Sequence, residues 1–156
     1  MQKETTQYPF PVEALEKRIG YAFKNRRLIE TALTHSSYAN ELHARGDDRV
    51  ESYERLEFLG DSVLSIIASD YLFEHYRHFA EGELTKIRAA AVCEGALFEY
   101  TKTFSGGDFL RIGHGEELTH GRQRRSILAD IFEAILAAMF FTALMRMVTF
   151  CAVALR

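Results

Sequence analysis

Apolar residues recur at helical spacing along most of the chain, and this pattern predicts a series of α-helices. A first helix is expected over PVEALEKRIGYAF, where apolar residues follow one another at intervals of three or four until the spacing runs out near Gly20. A second is expected over NRRLIETALTHSSYANELH, followed by a polar loop, ARGDDRVES. No segment alternates apolar and polar residues with the period of a strand, so the predicted class is all-α.

The second half of the chain continues the helical pattern. A long helix is predicted from about Tyr53 to Phe73, and EGELTKIRAAAVCEGALFEYTKTF is typical of another, with the acidic pair Glu81 and Glu83 favourable to its N-terminus. The next segment, SGGDFLRIGHGEELTHGRQRRS, holds five glycines and is predicted to be irregular. The last helix is expected to begin near Ser126, a residue suited to the N-cap position.

The C-terminal segment 134–155, AILAAMFFTALMRMVTFCAVAL, is long enough to span a membrane. Arg146 lies near its middle, however, where a charge costs about 3 kcal/mol on insertion, and no basic cluster flanks the segment. We therefore expect a buried core helix, with a membrane-associated tail as the alternative.

Composition indicates one globular domain over residues 1–156, because 47% of the residues are hydrophobic and 26% are charged. The net charge of -3 does not by itself predict a nucleic-acid partner. Cys93 and Cys151 lie among apolar neighbours and are expected to be reduced core residues rather than a disulfide or a metal pair. The N-terminus lacks the pattern of a signal peptide, so a cytoplasmic location is the default expectation.

Two of the predicted helices carry carboxylates in otherwise apolar surroundings. In YERLEFLGDSVL, residues 53–64, the side chains of Glu54, Glu57 and Asp61 fall within about 60° of one another around the helix axis. Apolar residues on the opposite side are expected to face the core: Leu56, Leu59, Val63 and Ile66. In SILADIFEAILAAMF, the acidic pair Asp130 and Glu133 are neighbours on one face.

Carboxylates clustered in partly buried positions raise one another's pKa and cost stability, which a divalent cation relieves. A site of carboxylates without His or Cys suits Mg²⁺ or Mn²⁺. The alternative is that these carboxylates form ordinary solvated faces. This alternative is strongest for Glu54 and weakest for Asp130 and Glu133. His35 is expected to be a buried hydrogen-bonding residue rather than a base, and no hydrolase triad is supported.

Five blocks of the sequence resemble the ribonuclease III family of bacterial double-strand-specific endoribonucleases. They occur in the family's order and cover about residues 10–140: LTHSSYANE, ERLEFLGDSVL, EGELTKIRAAAV, FLRIGHGEE and RRSILADIFEAIL. The resemblance implies a helical bundle of the family's endonuclease-domain type. It also implies a homodimer that cleaves double-stranded RNA with Mg²⁺, leaving 5′-phosphate and 3′-hydroxyl ends, in the processing of ribosomal or messenger RNA.

The resemblance also assigns residues. It implies that four carboxylates hold the metal, with Asp61 and Glu133 catalytic: Glu57, Asp61, Asp130 and Glu133. Glu54 is expected to line the same acidic valley. Mn²⁺ is expected to substitute for Mg²⁺. Apart from the resemblance, phosphate contacts are expected from a basic surface in the loop before the last helix, with an ordinary soluble surface as the alternative: Arg111, His114, His120, Arg122, Arg124 and Arg125.

The C-terminal end departs from the family pattern. Bacterial members continue with an Asp-Gly-Gly turn and a further helix, whereas residues 141–156 form an apolar tail with neither Asp nor Gly. The sequence leaves open whether this tail is native or results from truncation or a changed reading frame. Members usually also carry a double-stranded RNA-binding domain, without which RNA affinity should fall and depend steeply on salt. A catalytically weak RNA-binding or scaffold protein is therefore the alternative function.

Overall fold

Helices make up most of the part of the chain that the computed structural model describes, which is the backbone of residues 9–154 and the side chains of residues 9–141. Eight α-helices follow in order, α1 to α8: Val12–Ile19, Arg26–Ala32, Ser36–His43, Glu54–His75, Glu81–Ala91, Glu94–Thr103, His114–Leu118 and Arg125–Ala154. Two short 3₁₀ helices, Gly106–Phe109 and Gly121–Gln123, lie on either side of α7. Residues 9–154 contain no β-strand, which confirms the all-α class.

The predicted second helix is in fact two helices, α2 and α3. The break falls at Thr34, where the chain forms a short parallel bridge to Arg111. His35 N–H donates to the Arg111 carbonyl at 2.9 Å, and Arg111 N–H donates to the Leu33 carbonyl at 2.8 Å. The bridge contains neither Gly nor Pro, so a tertiary contact divides the two helices where local sequence gives no break.

The predicted helix over residues 81–104 is also divided, into α5 and α6, at Cys93. The core position predicted for Cys93 is wrong, because its side chain is exposed at the surface turn between the two helices. Its Sγ lies 3.3 Å from the Ala90 carbonyl oxygen. Cys151 lies outside the residues whose side chains are described. At the start of α5, a Glu83 carboxylate oxygen accepts the Ala80 N–H at 2.9 Å, as expected of an acid in a first turn.

The core forms around the first half of α8, which packs against α4, α6 and α2. Ile131, Ala134 and Ala138 of this helix are completely buried, together with Leu15 of α1 and Ile29 of α2. The expectation of a buried helix is therefore confirmed for the start of the apolar segment, residues 134–140, whose side chains are buried or partly buried. Within the part of the chain that the structure describes, no helix is sufficiently long and apolar to cross a membrane.

The C-terminal helix begins at Arg125, so Ser126 lies in its first turn and not at the predicted N-cap. α8 continues to Ala154. Arg146 and the tail residues after Phe141 lie outside the described side chains. The prediction of an atypical tail over residues 141–156 therefore stays a prediction.

One face of α4 differs from its predicted role. Ile66, expected to face the core, is 67% exposed, and Phe58 and Phe73 are 80% and 70% exposed. The core side of α4 is formed by Leu56 and Val63, as expected, together with Gly60. Because apolar residues lie on two sides of α4, periodicity alone could not show which side was buried.

Candidate metal centre

The candidate site lies where α4 crosses α8, and Gly60 sets the distance between the two helices. A Cβ at residue 60 would overlap the Glu133 carbonyl oxygen and lie 2.9 Å from the Glu133 Cα, where ordinary contact begins near 3.4 Å. Gly is therefore required at this position if the backbones are to approach so closely. Sequence analysis missed this role, although a glycine in a helix interior signals close packing.

This crossing brings the predicted carboxylates of the two helices into one electrostatic cluster. Glu57 of α4, and Asp130 and Glu133 of α8, are half-buried, whereas Glu54 and Asp61 are exposed. Burial raises the pKa of Glu57, and the charges of Asp130, Glu54 and Asp61 raise it further. Glu54 lies at the edge of this cluster, and its carboxylate accepts a hydrogen bond from the Ser52 hydroxyl at 3.1 Å.

Glu133 is the carboxyl group whose ionisation is most disfavoured by the cluster. Burial is the largest cause, followed by the charges of Asp61, Glu57 and Asp130, and together they raise the pKa of Glu133 to about 7. Its ordinary value is 4.5. Each of the four predicted ligands therefore takes part in the same set of repulsions, which a bound cation would relieve.

Asp130 is held by a residue to which sequence analysis gave no role. The Tyr53 hydroxyl donates a hydrogen bond to Asp130 Oδ2 at 3.2 Å. Burial raises the pKa of Asp130, and this hydrogen bond acts in the opposite direction. Tyr53 directly precedes α4 and is only 4% exposed.

The donor set fits a hard divalent cation. All four predicted ligands are carboxylates, and Mg²⁺ takes oxygen ligands from one or two carboxylates while keeping several waters. Among the residues that the structure describes, no group of three or more His, Cys, Asp or Glu side chains lies close enough together to hold a metal ion. Since mutual repulsion disfavours closer approach of the carboxylates, we expect their final arrangement to depend on a cation.

His35 lies near the cluster and is mainly a structural residue. Its Nδ1 lies 2.8 Å from the Ser37 hydroxyl and accepts the Ser37 N–H at 3.1 Å, which caps α3. Burial lowers the pKa of His35, although Glu116, Glu54 and Asp130 act in the opposite direction. The expectation of a hydrogen-bonding histidine agrees with these contacts.

The basic side chains in the loop before α8 differ in their exposure. The Arg122 side chain is only 12% exposed, and its guanidinium binds Glu117 at 2.7 Å and the Gly107 carbonyl at 3.0 Å. Arg122 therefore holds the loop together. The other three predicted arginines are more open but have acidic partners: Arg111 with Glu30, Arg124 with Glu116, and Arg125 with Glu94. His114 and His120 are exposed.

The fold and the site together define an all-α domain in which two crossing helices bring carboxylates to one partly buried place. Such a site has the ligand chemistry of Mg²⁺-dependent reactions on phosphate groups.

Comparison with known proteins gives the family. A model of the Ribonuclease-III-like family matches residues 25–152, and the chain belongs to this family. It is 48% identical over 128 residues to Ribonuclease 3 of Geobacillus thermodenitrificans, with 82% of this chain and 51% of that protein covered. For Ribonuclease 3 of Clostridium perfringens the identity is 52%, with 81% and 51% covered. The chain thus spans about half the length of the curated relatives that it matches.

Solved structures agree with this assignment. The nuclease domain of ribonuclease III from Campylobacter jejuni is 37% identical in sequence, with a TM-score of 0.75 over 84% of this chain and 85% of that one. A crystal structure of the same domain gives 38% identity and a TM-score of 0.73. The residues of this chain therefore correspond to a nuclease domain, and the predicted ribonuclease III type of helical bundle is confirmed.

Proposed function

We propose that this chain is a double-stranded RNA endoribonuclease that hydrolyses phosphodiester bonds in a Mg²⁺-dependent reaction. The observation that supports the proposal is that the charges of Glu57 and Asp61 on α4 and of Asp130 on α8 all act on Glu133 of α8. Membership of a nuclease family and a cluster made only of carboxylates both support metal-dependent phosphodiester hydrolysis. The proposed products carry 5′-phosphate and 3′-hydroxyl ends, and the proposed role is in processing ribosomal or messenger RNA in the cytoplasm.

The four carboxylates are the proposed ligands of Mg²⁺, with Mn²⁺ as a substitute. When bound, the cation lowers the pKa of a water molecule and stabilises negative charge on the scissile phosphate. Hydrolysis forms a bond from a water oxygen to phosphorus, breaks the bond from phosphorus to the 3′-oxygen, and leaves the proton on that oxygen. Asp61 is exposed and Glu133 is half-buried, so both carboxylates are accessible to a phosphate group bound on the surface.

The first test is cleavage of a labelled RNA duplex in Mg²⁺ at low salt. Glu133→Gln removes one proposed ligand with little change in volume, and we expect it to abolish cleavage. Glu74→Gln is the control, because Glu74 is an exposed residue of α4 that pairs with Arg77 away from the cluster. Cleavage by wild type that Glu133→Gln leaves unchanged would contradict the proposal.

Two further measurements, RNA binding in a gel and recovery from cell fractions, separate the alternative functions. Retarded migration of duplex RNA in Ca²⁺, with no cutting in Mg²⁺ or Mn²⁺, would favour an RNA-binding or scaffold protein. Recovery of the protein only from membranes would favour a tethered form.

For RNA contacts we propose the more exposed basic residues Arg111, Arg124 and Arg125, whose replacement should weaken binding and reduce its salt dependence.

We propose that the protein acts as a homodimer. The exposed apolar residues Phe58, Ile66 and Phe73 lie on one side of α4. Large exposed apolar side chains grouped on one face of a soluble domain mark an interaction surface. The Campylobacter jejuni nuclease domain has a region involved in dimer formation, which supports a second copy of the chain as the partner.

Light scattering after gel filtration tests the dimer. Wild type should elute with about twice the monomer mass of 17.9 kDa, and Phe58→Glu should elute as a monomer because a charge in a buried apolar interface is costly. Leu118→Glu is the matched control, since Leu118 is also 68% exposed but lies on α7. A monomeric wild type would exclude the proposed assembly.

A further inference from the structure

Tyr53 connects three parts of the structure at the edge of the carboxylate cluster. Its backbone N–H donates to the Thr34 carbonyl at 2.8 Å, at the turn between α2 and α3. Its carbonyl accepts the N–H groups of Leu56 and Glu57 at 2.8 and 2.9 Å, in the first turn of α4. Its hydroxyl reaches across to Asp130 Oδ2 on α8. Tyr53 thus links the start of α4 to the turn between α2 and α3 and to α8.

The ring of Tyr53 has little freedom to move. The residue is 4% exposed, and its ring packs edge-on against His35 with the centroids 5.7 Å apart. Thr34, which accepts the backbone hydrogen bond, is itself 1% exposed, and its hydroxyl donates to the Glu30 carbonyl at 2.7 Å. The position of the phenol oxygen is therefore fixed by packing before any ligand binds.

The phenol donates to one of the two oxygens of the Asp130 carboxylate, Oδ2. Because a carboxylate is planar, a hydrogen bond that fixes one oxygen also restricts the position of the other, Oδ1.

We propose that Tyr53 is a positioning residue that orients the Asp130 carboxylate for metal binding. The inference rests on the proposed function, because it assumes that Asp130 is a ligand. Residues that hydrogen-bond to metal ligands commonly contribute about 10-fold to 100-fold in metal affinity or activity. Tyr53 does not contact substrate in this role and acts only through Asp130.

The test measures Mn²⁺ binding to the free protein. Electron paramagnetic resonance reports the concentration of unbound ion. Tyr53→Phe removes only the hydroxyl, and we expect Mn²⁺ affinity to fall by about 10-fold. Tyr21→Phe is the control, since it removes a hydroxyl at the connection between α1 and α2. In cleavage assays, the Mg²⁺ concentration for half-maximal rate should rise by a similar factor, and saturating Mg²⁺ should restore most of the rate.

A double-mutant cycle with Asp130→Asn distinguishes positioning from a general structural role. If Tyr53 acts through Asp130, removal of its hydroxyl should not weaken the residual Mn²⁺ binding of Asp130→Asn any further. Equal losses in both backgrounds would overturn the inference, as would wild-type affinity in Tyr53→Phe. The latter result would leave the metal site intact, provided that Asp130→Asn still loses Mn²⁺. Failure of wild type to bind Mn²⁺ would overturn both this inference and the proposed metal site.

Discussion

Replacing Gly60 with Ala tests whether close contact between α4 and α8 builds the site. The added Cβ would overlap the Glu133 carbonyl oxygen and stand 2.9 Å from the Glu133 Cα. These are backbone atoms of a helix in the core, so no side chain can rotate away to make room. The two helices must separate, and the residue displaced by this movement is itself a proposed metal ligand.

Two effects of opposite sign determine the magnitude. Ala is favoured over Gly in a helix interior by about 1 kcal/mol. Overpacking in a well-packed core costs about 1–3 kcal/mol, and contact with rigid backbone places this case near the upper end. We therefore expect the free energy of unfolding to fall by about 2 kcal/mol. For a domain of this size that corresponds to a melting temperature lower by about 4–8 °C.

Calorimetry at one fixed protein concentration measures the change, because association shifts the melting temperature of a dimer. The matched variant is Gly82→Ala in α5, where a Cβ has nothing within 4 Å. Its melting temperature should stay constant or rise slightly. Mn²⁺ affinity should fall in Gly60→Ala and remain unchanged in Gly82→Ala. A Gly60→Ala protein as stable as Gly82→Ala, with wild-type Mn²⁺ affinity, would refute the reasoning.

Two further predictions concern the free energy of unfolding, measured in urea without divalent ions. The pKa of Glu133 is about 7 when folded and near 4.5 when unfolded, so its ionisation removes stability as pH rises between these values. Glu133→Gln should therefore be more stable than wild type at about pH 8, with a smaller gain at about pH 5; an equal gain at both pH values would contradict the shift. Thr101 is completely buried, and its hydroxyl lies 2.7 Å from the Leu128 carbonyl oxygen. Thr101→Val should cost about 1–3 kcal/mol, whereas a neutral effect would show that this link between α6 and α8 contributes nothing.

The helical class could be predicted because the signals for it are local. Apolar spacing predicted α1 and α4 to within a few residues, and the carboxylates of each helix could be grouped from angular position alone. The break at Thr34 could not be predicted, since no Gly or Pro interrupts the helical pattern there. At Cys93 the nearest such residue is Gly95, which lies inside α6 and does not mark the break. The break at Thr34 is produced by a bridge to Arg111, which is distant in sequence.

The contacts that complete the site are also non-local. Tyr53 and Asp130 are 77 positions apart, and no sequence spacing relates them. Gly60 was visible as a glycine inside a helix, but what it approaches is defined only when α8 is in place. Sequence therefore grouped the carboxylates within each helix, whereas the structure was needed to find Gly60 and Tyr53 beside them.

The three sides of α4 explain why its sequence is apolar nearly all round and acidic at one end. Leu56, Gly60 and Val63 face the core, the acidic residues lie on a second side, and Phe58 begins an exposed apolar third side. Around the helix axis the carboxylates lie between the core side and the exposed apolar side. The proposed metal centre therefore lies at the border of the proposed dimer interface. A helix that served only the core would need neither the carboxylates nor the exposed aromatic residues.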